Sequence, residues 1–191
     1  MAVVITKSAS ITSWDASPQF IPSTGEGGPG FIKSVNDLVT GVVGDSIGSV
    51  YRLVRIPTNA KVKSVKWNLF TASTAGATDF SVAFSDNPND GTPPSLALLA
   101  NPVIQVTGPV DNKMFGAATT MTAVTKVNAD ITFAGTFLAV HQNLPLWQVF
   151  VNLGATQFTT DPGGFFDIVA KLTTALTVTA GVLSMQCDYV E

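Results

Sequence analysis

The stretch Thr78-Asp79-Phe80-Ser81-Val82-Ala83-Phe84-Ser85 alternates apolar side chains with small or polar ones at a period of two. Successive side chains on a strand point to opposite faces, so Phe80, Val82 and Phe84 share one face and Asp79, Ser81 and Ala83 the other. The pattern predicts a half-buried strand. The loop Asp86-Asn87-Pro88-Asn89-Asp90-Gly91-Thr92-Pro93-Pro94 closes it, with residue types that break ladders and make turns.

Further strands read outward from this one, over residues 31–43, 49–56, 61–71, 102–107, 131–140, 165–173 and 181–190. The 131–140 run is apolar on both faces, which predicts a central strand. In the last two, Phe166, Ile168, Ala170 and Leu172 fall on one face, as do Leu183, Met185, Cys187 and Tyr189. Residues 111–128 fit strand or loop. One short buried helix is expected over residues 145–153, with Pro145 in its first turn and Gly154 at its stop. The reading is an all-β chain, a β-sandwich of the jelly-roll kind, with one short helix and an extended N-terminal arm. The arm takes residues 1–30 and the sandwich 31–191. In the arm, Pro18, Pro22 and the run Gly25-Glu26-Gly27-Gly28-Pro29-Gly30 cannot hold a regular ladder, while Trp14, Phe20 and Ile21 stand as apolar anchors.

Composition agrees. Val and Thr supply 23 residues each and Glu only two, which favours pleated surfaces over helical ones. At 191 residues the chain can bury a core without a disulfide, and it has one cysteine, Cys187. No apolar run reaches the roughly 18 residues of a membrane span, and the first ten residues do not read as a signal peptide. Charged residues make up 12% and mean hydropathy is +0.34. Soluble domains carry about 25% charged residues, so part of this surface is expected to be covered by other subunits. A net charge of −3 gives no reason to bind nucleic acid.

Three motifs invite a chemical reading. Gly44-Asp45-Ser46-Ile47-Gly48 matches G-x-S-x-G, but a nucleophile elbow needs a helix after the serine and here a strand follows. The single histidine, His141, falls in an apolar run. Gly25-x-Gly27-x-x-Gly30 lacks the strand before it and the helix after it that would receive a pyrophosphate. Asp86 to Gly91 opens like a calcium loop, yet Pro88 stands at a ligand position and Ala97 where the bidentate Glu belongs. No catalysis, cofactor or metal is therefore expected. Five of the ten basic residues lie between 52 and 66, and Arg52, Arg55, Lys61 and Lys63 are candidates for meeting an acidic partner.

Gly44-Asp45-Ser46-x-Gly48-Ser49-Val50-Tyr51-Arg52-Leu53-x-Arg55-Ile56-Pro57 resembles a segment of a family of tailed-bacteriophage minor capsid proteins. Leu146-Trp147, Leu153-Gly154, the run Asp161-Pro162-Gly163-Gly164-Phe165-Phe166-Asp167-Ile168 and the closing Tyr189-Val190 are similar to that family's second half. The resemblance spans residues 33–190 and leaves the arm out. It implies a jelly-roll cement or decoration protein on the exterior of the virion capsid, assembled in the host cytoplasm. Its partner would be the major capsid protein, and it would sit on the shell as a homodimer or trimer. A tail or spike component is the nearest alternative. A carbohydrate-binding sandwich would need a row of exposed aromatics, and Trp14, Trp67 and Trp147 fall in an arm, a strand and a buried helix.

Overall fold

Two antiparallel-rich sheets face each other across one apolar layer. The computed structural model describes residues 3–16, 31–73, 75–86, 102–107, 110–122, 128–176 and 181–191. The larger sheet has the order β1-β3-β10-β5-β8, formed by Ile5–Lys7, Val50–Pro57, Phe165–Thr174, Ala77–Phe84 and Gly116–Thr120. The smaller runs β2-β11-β4-β9, formed by Lys33–Thr40, Val182–Val190, Lys61–Thr71 and Ala129–Asp130. A two-stranded ribbon pairs β6 (Gln105–Val106) with β7 (Val110–Asp111). The chain is an all-β sandwich, as the alternation predicts.

The inward faces are the expected ones. Phe166, Ile168, Ala170 and Leu172 of β10 join Phe80 and Val82 of β5 and Tyr51, Leu53 and Ile56 of β3. They pack on Leu183, Met185, Cys187 and Tyr189 of β11 and on Val62, Val65, Trp67 and Leu69 of β4. Trp67 tilts onto Phe80 at 5.0 Å between ring centroids. Each such side chain contributes roughly 1.5–3 kcal/mol by leaving water. Helix α2, Leu146–Asn152, lies where Pro145 and Gly154 place it, with Leu146, Val149 and Phe150 buried. Gly154 has φ +88°, a conformation that stops the helix at no steric cost to glycine.

Three expectations are corrected. β5 is buried on both faces, because Asp79, Ser81 and Ala83 are covered as fully as the core. Val103 closes a second small apolar cluster over Val50, Ala83 and Val169 on the outward side of the larger sheet.

Residues 131–140 do not form a central strand. They turn, then enter a 3-10 helix at Ala139–Asn143. Asp130 accepts hydrogen bonds from the backbone and hydroxyl of Thr132, whose oxygen accepts from Val65 N–H at 2.8 Å. Ile131 and Phe137 point into the core while Phe133, Leu138 and Val140 face outward, which is why the run reads as apolar on both faces.

Within the expected arm, residues 5–15 are folded onto the sandwich rather than extended away from it. Ile5–Lys7 pairs in parallel with β3, and helix α1, Ala9–Asp15, follows with Ser8 as its N-cap. Ile11 of that helix is fully buried. Phe20 and Ile21 lie outside the described residues, as does the side chain of Trp14 in α1.

Gly135 makes the turn possible. A β-carbon there would stand 2.0 Å from Lys113 O, 2.6 Å from Met114 O and 2.7 Å from Gly116 N, all backbone atoms that cannot step aside. Gly135→Ala is therefore expected to destabilise the fold by at least the 1–3 kcal/mol typical of overpacking. Chemical denaturation of the two proteins measures it, and an unchanged midpoint would contradict the packing.

Candidate functional site

The basic residues of β3 show what the fold does with charge. Residues three apart on a regular strand point to opposite faces. Arg52 and Arg55 nevertheless share the outward face of the larger sheet, because β3 bulges. Val54 pairs with Ile168 and Arg52 with Val169, which leaves Leu53 as an extra residue on β3. The two guanidinium groups close on Asp167, which is fully buried. Arg52 Nη1 donates to Oδ2 at 2.5 Å, and Arg55 donates through Nε to Oδ1 at 2.7 Å and through Nη2 to Oδ2 at 3.0 Å.

The cluster extends to the N-terminal segment. Arg55 Nη1 donates to Asp15 of α1 at 2.6 Å, and Lys7 of β1 bridges Asp15 at 2.7 Å and Asp86 at 2.8 Å. Three cations thus meet three carboxylates on a covered face. Burial pulls the Lys7 pKa down, but hydrogen bonds to Asp15 and Asp86 outweigh it and hold the ammonium above its ordinary 10.5. Burial pushes Asp86 up, and the charges of Arg52, Lys7 and Arg55 override that and keep it below 3.8.

Arg52 and Arg55 are consequently not surface contacts for an acidic partner, as their sequence position suggests. They are 0% and 6% exposed and are neutralised inside the fold. Lys63 is also engaged, donating to Gln142 O at 2.6 Å and fixing the 3-10 helix against β4. Lys61 stays partly exposed at the start of β4.

The G-x-S-x-G segment is a turn between β2 and β3. Gly44 and Gly48 have φ of +99° and +89°, which explains the two glycines without chemistry. Asp45 organises the turn, accepting from Val42 N–H at 2.9 Å and from the Tyr51 hydroxyl at 2.6 Å. Burial and the Asp45 carboxylate together push the Tyr51 phenol well above its usual pKa. The 3-10 helix that carries His141 is bonded through Gln142 to Lys63 near the start of β4, whereas the turn is bonded to Leu172 near the end of β10 and to Leu176 just after it. The strand pairing puts these at opposite ends of the sandwich, so Ser46 and His141 are not brought together. His141 Nδ1 accepts from Leu138 N–H at 3.0 Å, and burial lowers its pKa. Asp86, the first residue of the calcium-like stretch, is engaged by Lys7, Arg52 and Arg55. Residues 87–91 and 25–30 lie outside the described residues. Among the described residues no group of three His, Cys, Asp or Glu side chains is placed to hold a metal ion.

The fold also exposes large apolar side chains. Twelve large apolar side chains are exposed among the described residues, and eight of them lie on β1, on β2 or beside these strands. Val3 and Ile5 belong to the β1 edge, Phe31, Ile32 and Leu38 to the β2 edge, and Val42, Val43 and Ile47 to the turn into β3. Val3 reaches within 3.9 Å of where a Gly48 side chain would begin, so strand and turn form one surface. These residues were missed as a site in the sequence. The available signal was a tight turn carrying Val42, Val43 and Ile47 where polar residues are usual.

Asp167→Asn leaves two buried arginines facing a neutral amide and is expected to cost about 3–5 kcal/mol, the usual penalty for breaking a buried pair. Asp86→Asn tests the pH dependence. A carboxylate whose folded pKa is depressed stabilises the fold above its unfolded pKa and loses that contribution as pH falls through the folded one. The difference in melting temperature between wild type and D86N should be full at pH 7 and shrink below about pH 4. A difference that stays constant from pH 7 to pH 2.5 would show that Asp86 carries no linked charge.

No protein-family model matches the chain, and no curated protein or solved structure matches it, so its function is read from this arrangement of charge and apolar surface.

Proposed function

We propose that this chain is a non-enzymatic capsid decoration protein, which binds the outside of a major capsid shell and bridges neighbouring subunits. One observation carries the reading: eight of twelve exposed large apolar side chains lie on one flank, along β1, β2 and the turn between β2 and β3. Exposed apolar side chains gathered on one flank of a sandwich are the ordinary mark of a partner surface. Both strands are sheet edges, so main-chain donors and acceptors stand beside the apolar side chains.

Low charge supports the same reading. Charged residues are only 12% of the chain, and six of them are drawn into one covered network, which lowers further the charge left to solvate the surface. The resemblance to tailed-phage minor capsid proteins implies a major capsid protein as the partner, a jelly-roll topology and a dimeric or trimeric state, and these are part of the proposal. Lys61, partly exposed, remains a candidate for an acidic patch on the shell. Many copies that each bind the assembled state would stabilise it by mass action.

Val42→Asp and Ile47→Asp place charges on exposed positions and should leave the melting temperature within a degree or two of wild type. Each is expected to weaken binding to bare shells by about tenfold or more, since burying one such side chain contributes roughly 1.5–3 kcal/mol. Co-sedimentation with shells, and copy counting by electron microscopy of purified particles, reads the effect. If the full chain does not associate with shells, the proposal fails. If it associates and both variants bind like wild type, the flank is not the contact.

A further inference from the structure

A second surface, on the outward face of the smaller sheet, has a different chemistry. β2, β11 and β4 lie side by side, and their outward residues fall in rows. Ser184 sits opposite both Leu38 and Asn68, and Gln186 opposite both Asn36 and Lys66. Between them lies an open cavity of about 340 Å³, lined by Asn36, Leu38, Asn68, Phe70, Ser184 and Gln186 among others.

The lining is pre-set by its own hydrogen bonds. Asn68 Nδ2 donates to Ser184 Oγ at 3.3 Å, while its oxygen accepts from Asn128 N–H. Gln186 Nε2 donates to Ser34 Oγ and Asp188 Oδ1, both at 3.1 Å. Those bonds fix the amide planes, and among the described residues the Gln186 oxygen accepts no hydrogen bond. Asn36 is exposed and its amide makes no hydrogen bond among the described residues. Phe70, 59% exposed, stands at one side of the cavity and Leu38 at another.

We propose that this face binds a neutral saccharide through a single ring. A carboxamide both donates and accepts, as a sugar hydroxyl does, so a set of amides and one hydroxyl complements vicinal hydroxyls with no charge involved. Phe70 offers a flat apolar face to the C–H side of a pyranose. No Lys or Arg lines the cavity, Lys66 in the adjoining row already faces the charges of Asp130 and Asp188, and the one lining carboxylate, Asp37, accepts from Leu38 N–H. The volume is at the small end of ligand pockets, about 300–1,000 Å³, which suits one ring or the terminal residue of a glycan. The expectation that exposed aromatics are lacking rests on the three tryptophans. Trp67 is indeed buried, and the exposed aromatic ring of this face is a phenylalanine.

The site shares Leu38 with the docking flank and is otherwise made of different residues, and its test is separate. Amide chemical shifts of the full chain are followed during titration with glucose, galactose, mannose, rhamnose and N-acetylglucosamine and with short oligomers of each. At least one sugar should produce saturable shifts at Asn68, Phe70, Ser184 and Gln186. Phe70→Ala should weaken that binding by about tenfold and Asn36→Ala by severalfold, while Val42→Asp leaves it unchanged. Both substituted side chains are exposed, so the variants keep the fold. The proposal is overturned if no sugar in the panel shifts these amides, if the shifts map elsewhere, or if Phe70→Ala binds as tightly as wild type.

Discussion

Asp167 and the two arginines that close on it set conditions that much of the molecule has to meet. A fully buried carboxylate is tolerated only where opposite charge and hydrogen bonds replace its water. Arg52 and Arg55 supply both, and they reach the same face only because Leu53 is an extra residue in β3. The bulge therefore belongs to the charge arrangement as much as to the sheet. Two arginines on one carboxylate leave an excess positive charge, which Asp15 and Asp86 balance from two further segments, with Lys7 between them. Strand β1, helix α1 and the chain leaving β5 are thereby held on a face that would otherwise be solvent.

Covering that face changes the surface the protein has left. A two-layer sandwich ordinarily presents two outward polar faces. Here the larger sheet is covered on its outward side, by α1, by Val103 and by the ionic cluster. The smaller sheet keeps an open outward face of Ser, Asn and Gln with Phe70 and Leu38 among them. Exposed apolar side chains collect along the flank where β1 and β2 end their sheets. The polar face and the apolar flank offer different chemistry, which is why one is read as a saccharide site and the other as a protein contact.

The G-x-S-x-G turn shows how a motif is explained away by geometry. Its glycines are required by positive φ, and its aspartate caps the turn and receives the Tyr51 hydroxyl. At Gly41, just before it, a β-carbon would stand 2.7 Å from Leu176 Cδ1 and 2.8 Å from the Tyr51 oxygen, so those two side chains would have to shift to admit one. Residues that resemble a nucleophile elbow therefore serve to join two sheets and to present Val42, Val43 and Ile47.

Alternation along 78–85, 165–173 and 181–190 determined the strands and their core faces, and Pro145 with Gly154 determined the helix. These are local properties, set by the period of side-chain direction and by backbone preferences within a few residues. Two other things were settled only by tertiary structure. The apolar run 131–140 became a turn and a 3-10 helix, because Gly135 fits against the backbone of residues 113–116 and Thr132 caps Val65. Arg52 and Arg55, read from sequence as a surface patch, went inside because their partner Asp167 lies 112 residues beyond Arg55 on another strand. Period and propensity are written in neighbouring residues. Register, bulges and the pairing of buried charge depend on what a distant strand places opposite, and no local pattern carries that information.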